Sequence, residues 1–264
     1  MRWVVLSLVM LTAGCSTVPT TFNPALPISP QEFSHKLFDE VLHNHVRDGL
    51  VDYPGVHADA RFQMYLSQLD HVDPNALVTR NERLAFWINV YNAFAIKGIL
   101  DGYSPMTHWG RYRYFIGQDY RVGGARLNLY DLERQILIKQ FREPLMHFAI
   151  VCASMSCPNI QPRIYEPNYL DVELDRVART FINDPTRNHF DSTQKVARLS
   201  MIFKWFGDDF ALAAGSVLAY IARYVGDPEL ARDLIISEYR IEYLEYDWSL
   251  NGQPPKEMNH AGRS

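Results

Sequence analysis

The chain has 264 residues, and its composition is that of a folded protein. Hydrophobic residues make up 47% of it and aromatic residues 13%, which is enough apolar surface for a full core and excludes global disorder. The 30 acidic residues outnumber the 26 basic ones, so the net charge is −4, and the basic residues are scattered. Nucleic acid is therefore not expected as a partner.

The first 14 residues have the pattern of a secretory signal. Arg2 precedes an apolar run over residues 3–11, which is shorter than the roughly 20 residues that span a bilayer. Leu-Thr-Ala-Gly directly before Cys15 resembles a lipobox, in which the cysteine thiol receives diacylglycerol. Ser16 after it favours sorting to the outer membrane. The alternative is ordinary secretion, with Cys15 as a buried thiol.

These features predict a signal peptide over residues 1–14 and a lipidated, proline-rich tether over residues 15–30. The membrane is then a partner through the lipid anchor, with the protein facing the periplasm. We expect one folded domain over residues 31–252 and a tail over residues 253–264. No phosphate-binding glycine loop, His-Glu-x-x-His or Cys-x-x-Cys motif occurs, so neither a cofactor nor a metal is expected. Oligomeric state is left open.

Capping signals and apolar periodicity predict three helices in the first part of the chain. Ser29 with Glu32 forms a helix start, and Gly49 ends that helix. Thr79 with Glu82 is a second capping box, and it opens a helix that is apolar nearly all round and should be central. The three predicted helices cover residues 29–49, 58–69 and 83–96.

The rest of the chain is predicted to alternate short strands and helices. Gly123 and Gly124 indicate a hairpin over residues 114–127, and Asn128 caps a helix that ends near Phe141. An apolar run over residues 146–152 indicates a buried strand. Further helices are predicted at residues 170–181, 206–224 and 228–234, and further strands at 189–199 and 241–248. The predicted fold is a single α+β domain, with helices packed around a small, mainly antiparallel sheet.

The candidate nucleophile lies in the segment that runs from His147 to Asn159. In a strand, His147 and Cys152 would point to opposite faces, so these two are not expected to be partners. Cys157 follows in a serine-rich turn before Pro158, where a helix N-terminus would lower the pKa of its thiol. Cys157 is therefore the predicted nucleophile and His147 its base, provided that the fold brings them together. The alternatives are a Cys152–Cys157 disulfide, two buried thiols, or metal ligation.

Polar residues elsewhere are candidates for a cleft. Asn89 and Asn92 share one face of the apolar helix, so they either brace a neighbouring loop or point into a cleft. In a cleft, Asn89 would orient an imidazole or donate to a developing oxyanion. The other polar candidates are Ser156, Asp131 and Glu133, although acids at a helix start such as the last two have capping as their default role.

Five ordered motifs resemble the family known as domain of unknown function 547. They lie at residues 81–94, 127–133, 147–159, 202–210 and 246–251, and the likeness extends over residues 75–250. The resemblance implies a module of bacterial envelope proteins and of larger plant and animal proteins, without an agreed activity. The polar positions that the family shares correspond here to Asn89, Asn92, His147, Cys152, Ser156 and Cys157.

A more distant likeness, to papain-like or transglutaminase-like thiol hydrolases, would imply an acyl-transfer cleft. Those enzymes usually carry the cysteine on the central helix, where this chain has Asn89. The first hypothesis is a lipid-anchored envelope protein with a cysteine hydrolase-like cleft formed by Cys157, His147 and Asn89. The alternative is a non-catalytic binding or scaffolding module whose cysteines form a disulfide. A protein or peptide partner is compatible with both and stays unidentified.

Overall fold

The computed structural model describes residues 22–29 and 32–253. The predicted signal peptide, Cys15, the first part of the tether and the end of the predicted tail lie outside the described residues. The described chain is a single α+β domain, as predicted. Its α-helices are α1 (Lys36–His45), α2 (Tyr53–Ala58), α3 (Ala60–His71), α4 (Arg80–Leu100), α5 (His108–Phe115), α6 (Leu129–Asp131), α7 (Leu170–Ile182), α8 (Ile202–Trp205), α9 (Gly207–Ala214), α10 (Val217–Ala222) and α11 (Pro228–Ile236).

The strands form three small sheets, whereas the sequence predicted one. They are β1 (Val46–Arg47), β2 (Leu50–Asp52), β3 (Tyr120–Val122), β4 (Ala125–Leu127), β5 (His189–Asp191), β6 (Val196–Leu199), β7 (Arg240–Tyr243) and β8 (Gly252–Gln253). The sheet orders are β1-β2-β8, β3-β4 and β5-β6-β7. Pairs β2–β8 and β6–β7 are parallel, and the other three pairs are antiparallel. Each sheet is too short to cover the core alone, so helices supply most of the packing.

Helix α4 is central, as its sequence predicted. Thr79 and Glu82 form the capping box, in which each side chain bonds the backbone of the other residue. Fifteen of the helix's residues are buried, which leaves little of its surface for solvent. Among the described residues, no helix is both long and apolar enough to cross a bilayer.

The hairpin predicted around Gly123 and Gly124 is confirmed. Both glycines have positive φ, at 58° and 75°, in the two-residue turn between β3 and β4. This turn suits glycine because other residues are strained in that backbone region. The predicted hairpin began too early, because Tyr114 belongs to α5 and packs against α4, where its hydroxyl donates to the Ala95 carbonyl.

Other predicted boundaries moved where tertiary packing outweighed local signals. Glu32 does bond Ser29, but the two residues close a turn, and α1 begins only at Lys36. The helix predicted over residues 206–224 is broken into α9 and α10 at Gly215, whose φ is +88°. The last predicted strand ends at Tyr243 instead of continuing to residue 248.

The predicted strand over residues 146–152 is wrong. Pro144–Phe148 is a 3-10 helix, and residues 149–152 follow it in irregular structure. Asn92 on α4 satisfies part of this backbone, since its amide bonds the Ala149 carbonyl and the Val151 N–H at 3.0 Å each. A side chain therefore takes the place of a neighbouring strand, which an apolar run in the sequence cannot reveal.

Candidate functional site

A cavity of about 390 Å³ opens beside the irregular segment that contains Cys152. Its wall is mostly apolar and aromatic, and only a few polar groups reach it. This combination is typical of ligand-binding and active sites. The lining residues come from α4, α5, the segment after β4, the loop of the two cysteines, α8 and the chain after β7.

The backbone around Cys152 is held in an unusual shape. Ala153 has φ of +57°, in the left-handed region that an alanine rarely adopts. The Asn251 N–H donates to the Ala153 carbonyl at 3.1 Å, and Ser154 forms a bridge with Leu250. Strain of this kind persists when the surroundings hold it, and it often marks a functional site.

The Cys152 sulfur lies among hydroxyl groups at the cavity wall. It is 3.1 Å from Ser154 Oγ and 3.1 Å from Tyr246 Oη, and these two hydroxyls are 3.1 Å from each other. Burial raises the pKa of the Cys152 thiol, whereas hydrogen bonds from Cys157, Ser154 and Tyr246 lower it, and the net pKa is below that of an ordinary thiol. The site therefore favours a Cys152 thiolate.

Cys157 is the more deeply buried thiol, with 4% of its surface exposed. Its sulfur accepts a hydrogen bond from the Cys152 N–H at 2.7 Å. Burial and the neighbouring Cys152 raise the pKa of the Cys157 thiol well above its ordinary value. No helix begins at Pro158, so the dipole expected to activate Cys157 is missing. The expected lowering of the Cys157 pKa is therefore corrected, since the lowered thiol pKa belongs to Cys152. The nucleophile role itself stays a prediction. Both cysteines are free thiols.

Glu133 provides a carboxyl group on the same wall. It lies in the π-helical segment Leu132–Phe141, which follows α6 directly. The Tyr91 hydroxyl donates to Glu133 Oε2 at 3.3 Å. Burial raises the pKa of Glu133 to about 7, with Arg134 and the Tyr91 hydrogen bond opposing this rise. A carboxyl with that pKa can give and take protons at neutral pH, a role beyond the capping expected for it.

His147 also lines the cavity, together with Cys152. The prediction that strand geometry would separate these two residues is therefore corrected, since the strand is absent. His147 Nε2 bonds Asp209 Oδ2 at 2.8 Å, and its ring stacks on Phe206 with centroids 4.0 Å apart. Its Nδ1 is buried and has no hydrogen-bond partner among the described residues, and burial lowers the pKa of the imidazole. His147 is thus a buried, neutral ring whose Nε2 is held by Asp209.

The remaining candidates do not line this cavity. Asn89 donates to the Tyr165 carbonyl at 2.8 Å and accepts from the Tyr165 N–H at 2.9 Å, so it braces a loop and does not orient His147. Asn92 braces the irregular segment before Cys152 in the same way, through its bonds to Ala149 and Val151. Ser156 Oγ accepts a hydrogen bond from the Asp247 N–H at 2.9 Å, and this bond holds the backbone next to Tyr246 in place. Asp131 bonds the Asn128 side chain at the helix start.

Four residues of the site were not among the sequence candidates: Ser154, Asp209, Tyr246 and Arg134. Ser154, Asp209 and Tyr246 lie within the motifs that carry the family likeness, but their spacing along the chain does not reveal that they meet. Among the described residues, no group of three or more His, Cys, Asp or Glu side chains is arranged to hold a metal ion.

Comparison with known protein families shows that residues 75–182 match the family described as "Protein of unknown function, DUF547". This part of the chain is similar to that family. The match ends earlier than the predicted likeness, which reached residue 250. Neither the curated proteins nor the solved structures yield a match to the chain. The likeness to papain-like or transglutaminase-like enzymes stays a prediction.

The matched segment, residues 75–182, contains Tyr91, Glu133, His147, Cys152 and Cys157. Asp209 and Tyr246, which bond His147 and Cys152, lie beyond it. The site is thus built from the segment and from the chain that follows, and the two parts belong to one hydrophobic core.

Proposed function

We propose that the domain catalyses thiol-dependent acyl transfer to water, with Cys152 as the nucleophile. The observation that carries the proposal is the Cys152 sulfur, which lies at a cavity wall within 3.1 Å of two hydroxyl groups. Hydroxyl donors stabilise a thiolate, and the thiolate is the form of cysteine that attacks a carbonyl carbon.

Glu133 is the proposed proton carrier. It is close enough to Cys152 for the two charges to affect each other, and its pKa of about 7 lets it act in either direction. The Cys152 thiolate would attack the acyl carbon, and the leaving group would depart with the Glu133 proton. Water would then attack the acyl-thioester, give a proton back to Glu133 and release the acid, which restores the Cys152 thiolate.

His147 is proposed as a positioning residue on the same wall. Asp209 accepts from Nε2, so the neutral ring keeps the proton there and leaves the Nδ1 lone pair free. Nδ1 is itself buried, so His147 would act by packing on Phe206 and bonding Asp209 at the wall, without contacting the reacting atoms. This role replaces that of a base acting directly on a cysteine, because Cys152 already has three hydrogen-bonding neighbours.

Brief labelling with iodoacetamide across pH 5 to 9, read by mass spectrometry, tests the nucleophile. We expect Cys152 to be labelled well below about pH 8.5, the ordinary thiol value, because its thiolate is stabilised. Tyr246→Phe should move this labelling to higher pH, since one donor is lost. With p-nitrophenyl esters, the protein should gain one acyl group on Cys152, and Cys152→Ala should form none.

Cys157→Ser is the matched control, because it changes a thiol five residues away and keeps a polar atom there. It should still be labelled and acylated at Cys152. Preferential labelling of Cys157, a Cys152–Cys157 disulfide in the native protein, or no acylation at all would contradict the proposal. A non-catalytic binding or scaffolding module of the cell envelope would then be the better interpretation.

We also propose that the domain is held in the cell envelope as an outer-membrane lipoprotein facing the periplasm. The support is the lipobox-like sequence that ends at Cys15. Cells grown with labelled palmitate should incorporate it into this protein, and the protein should fractionate with membranes. Cys15→Ser should abolish labelling and release the protein, because the acyl chains provide the anchoring energy. Ser16→Ala is the control, and unlabelled wild-type protein would contradict lipidation.

A further inference from the structure

The cavity that contains Cys152 also carries two guanidinium groups. Arg111 lies over the Trp248 ring at 4.5 Å, and Arg134 lies over the Phe206 ring at 4.8 Å. Both arginines line the cavity. Stacking on an aromatic ring holds a guanidinium in place and leaves its edge free for a planar anion.

Neither arginine forms a salt bridge in the described part of the chain, although Arg134 is close enough to Glu133 to oppose the rise in the pKa of that carboxyl. Arg111 contacts the Pro105 carbonyl at 3.3 Å and His108 Nδ1 at 2.7 Å. Among the described residues, the close contacts given for Arg134 are with the Phe206 and Tyr130 rings. Glu133 is the single acidic residue on the described wall, and with its pKa of about 7 it is only partly charged at neutral pH. The cavity therefore has a mostly apolar wall, and the charged side chains that line it are net positive.

The outer part of the wall adds exposed apolar surface. Tyr112, Ile116, Tyr130 and Trp205 line the cavity, and 38–50% of the surface of each is exposed. Large apolar side chains around a cavity mouth commonly mark the place where a ligand covers them. A ligand that matches both the guanidinium groups and this apolar surface needs an anionic group and an apolar body.

We propose that the ligand of this cavity is a single-chain amphiphile with an anionic head, such as an acyl ester whose alcohol carries a phosphate or carboxylate. The apolar chain would lie against the aromatic wall, and the anion would bind Arg111 and Arg134. This inference rests on the proposed acyl transfer only for the statement that such a molecule is a substrate. Binding itself does not depend on the reaction.

The test measures binding to the Cys152→Ala protein, which cannot form an acyl-enzyme. Dodecyl phosphate, dodecyl maltoside and ethyl phosphate are compared below their micelle concentrations, by calorimetry and by tryptophan fluorescence. We expect dodecyl phosphate to bind at least about tenfold more tightly than dodecyl maltoside, because the head can pair with arginine. Ethyl phosphate should bind far more weakly, since it lacks the chain.

Arg111→Gln and Arg134→Gln should each weaken dodecyl phosphate binding by about tenfold and leave dodecyl maltoside unchanged. Arg126→Gln is the matched control, because Arg126 is exposed on β4 and does not line the cavity. Equal affinity for the two dodecyl compounds, or equally tight binding of ethyl phosphate, would overturn the inference. Binding with the expected preference, but no acylation of wild-type Cys152, would support this inference and remove the proposed reaction.

Discussion

Glu133→Gln is expected to lower acyl transfer by about 100-fold or more and, at the same time, to stabilise the protein above pH 7. Glutamine keeps the shape of the side chain and can still accept the hydrogen bond from the Tyr91 hydroxyl. It cannot carry a proton between leaving group and water. Loss of activity without loss of structure is therefore the result that separates a proton carrier from a packing residue.

The pH dependence of stability follows from the raised pKa of Glu133. Burial raises that pKa from 4.5 to about 7, so between these values the folded protein holds a proton that the unfolded chain has lost. Folding stability contributed by the protonated carboxyl is present below pH 4.5 and is lost as the pH rises through 7. The loss amounts to about 3 kcal/mol when complete. In the Glu133→Gln variant, the free energy of unfolding should no longer fall between pH 4.5 and pH 7.

Urea unfolding of the wild-type protein and the Gln variant at pH 5 and pH 8.5 measures the effect. The two proteins should be nearly equal in stability at pH 5, and the variant should be more stable at pH 8.5. Glu166→Gln is the control, because Glu166 is exposed and lies away from the cavity. A variant that keeps full activity, or that loses stability at pH 8.5, would contradict the role given to Glu133.

Asn92→Ala should destabilise the protein by about 3 kcal/mol and disturb the irregular segment that contains Cys152. The Asn92 amide is 4% exposed and bonds the Ala149 carbonyl and the Val151 N–H, each at 3.0 Å. Removing it leaves both buried backbone groups without a partner, and each unsatisfied group costs about 1–3 kcal/mol. Cys152 is the next residue along the chain, so its low-pH labelling should weaken as well.

The midpoint of urea unfolding and the labelling rate of Cys152 measure these two effects. Asn168→Ala is the matched control, since Asn168 is exposed in the 3-10 helix Pro167–Tyr169, and a change there should stay within about 0.5 kcal/mol. If Asn92→Ala costs less than about 1 kcal/mol, its backbone partners must find other donors and acceptors, and the bracing role is refuted.

Local chemistry made several elements predictable from the sequence. The Thr79–Glu82 capping box depends on two side chains and the backbone between them, so its sequence is sufficient to place the start of α4. Gly123 and Gly124 similarly predict the turn, because both positions need positive φ. The amide of Asn128 accepts from the Asp131 N–H, a contact over three residues, and it starts the next helix where predicted.

The site was only partly predictable, because its contacts are distant in sequence. His147 meets Asp209 across 62 residues, and Cys152 meets Tyr246 across 94. The prediction that Cys157 would be activated relied on a local helix dipole, and the prediction that His147 and Cys152 would be separated relied on a strand. Neither element forms. In place of the strand, Asn92 and the bonds within the 3-10 helix satisfy the backbone before Cys152.

The sequence by itself determined the α+β class, the central apolar helix, the hairpin, and the segment in which the cysteines lie. These depend on periodicity, capping and turn preferences that act within a few residues. Only the tertiary structure decided which thiol has a lowered pKa, that Glu133 faces a cavity, and that Asn89 braces a loop. The pKa of each group depends on burial and on partners brought from distant parts of the chain, and these exist only after folding.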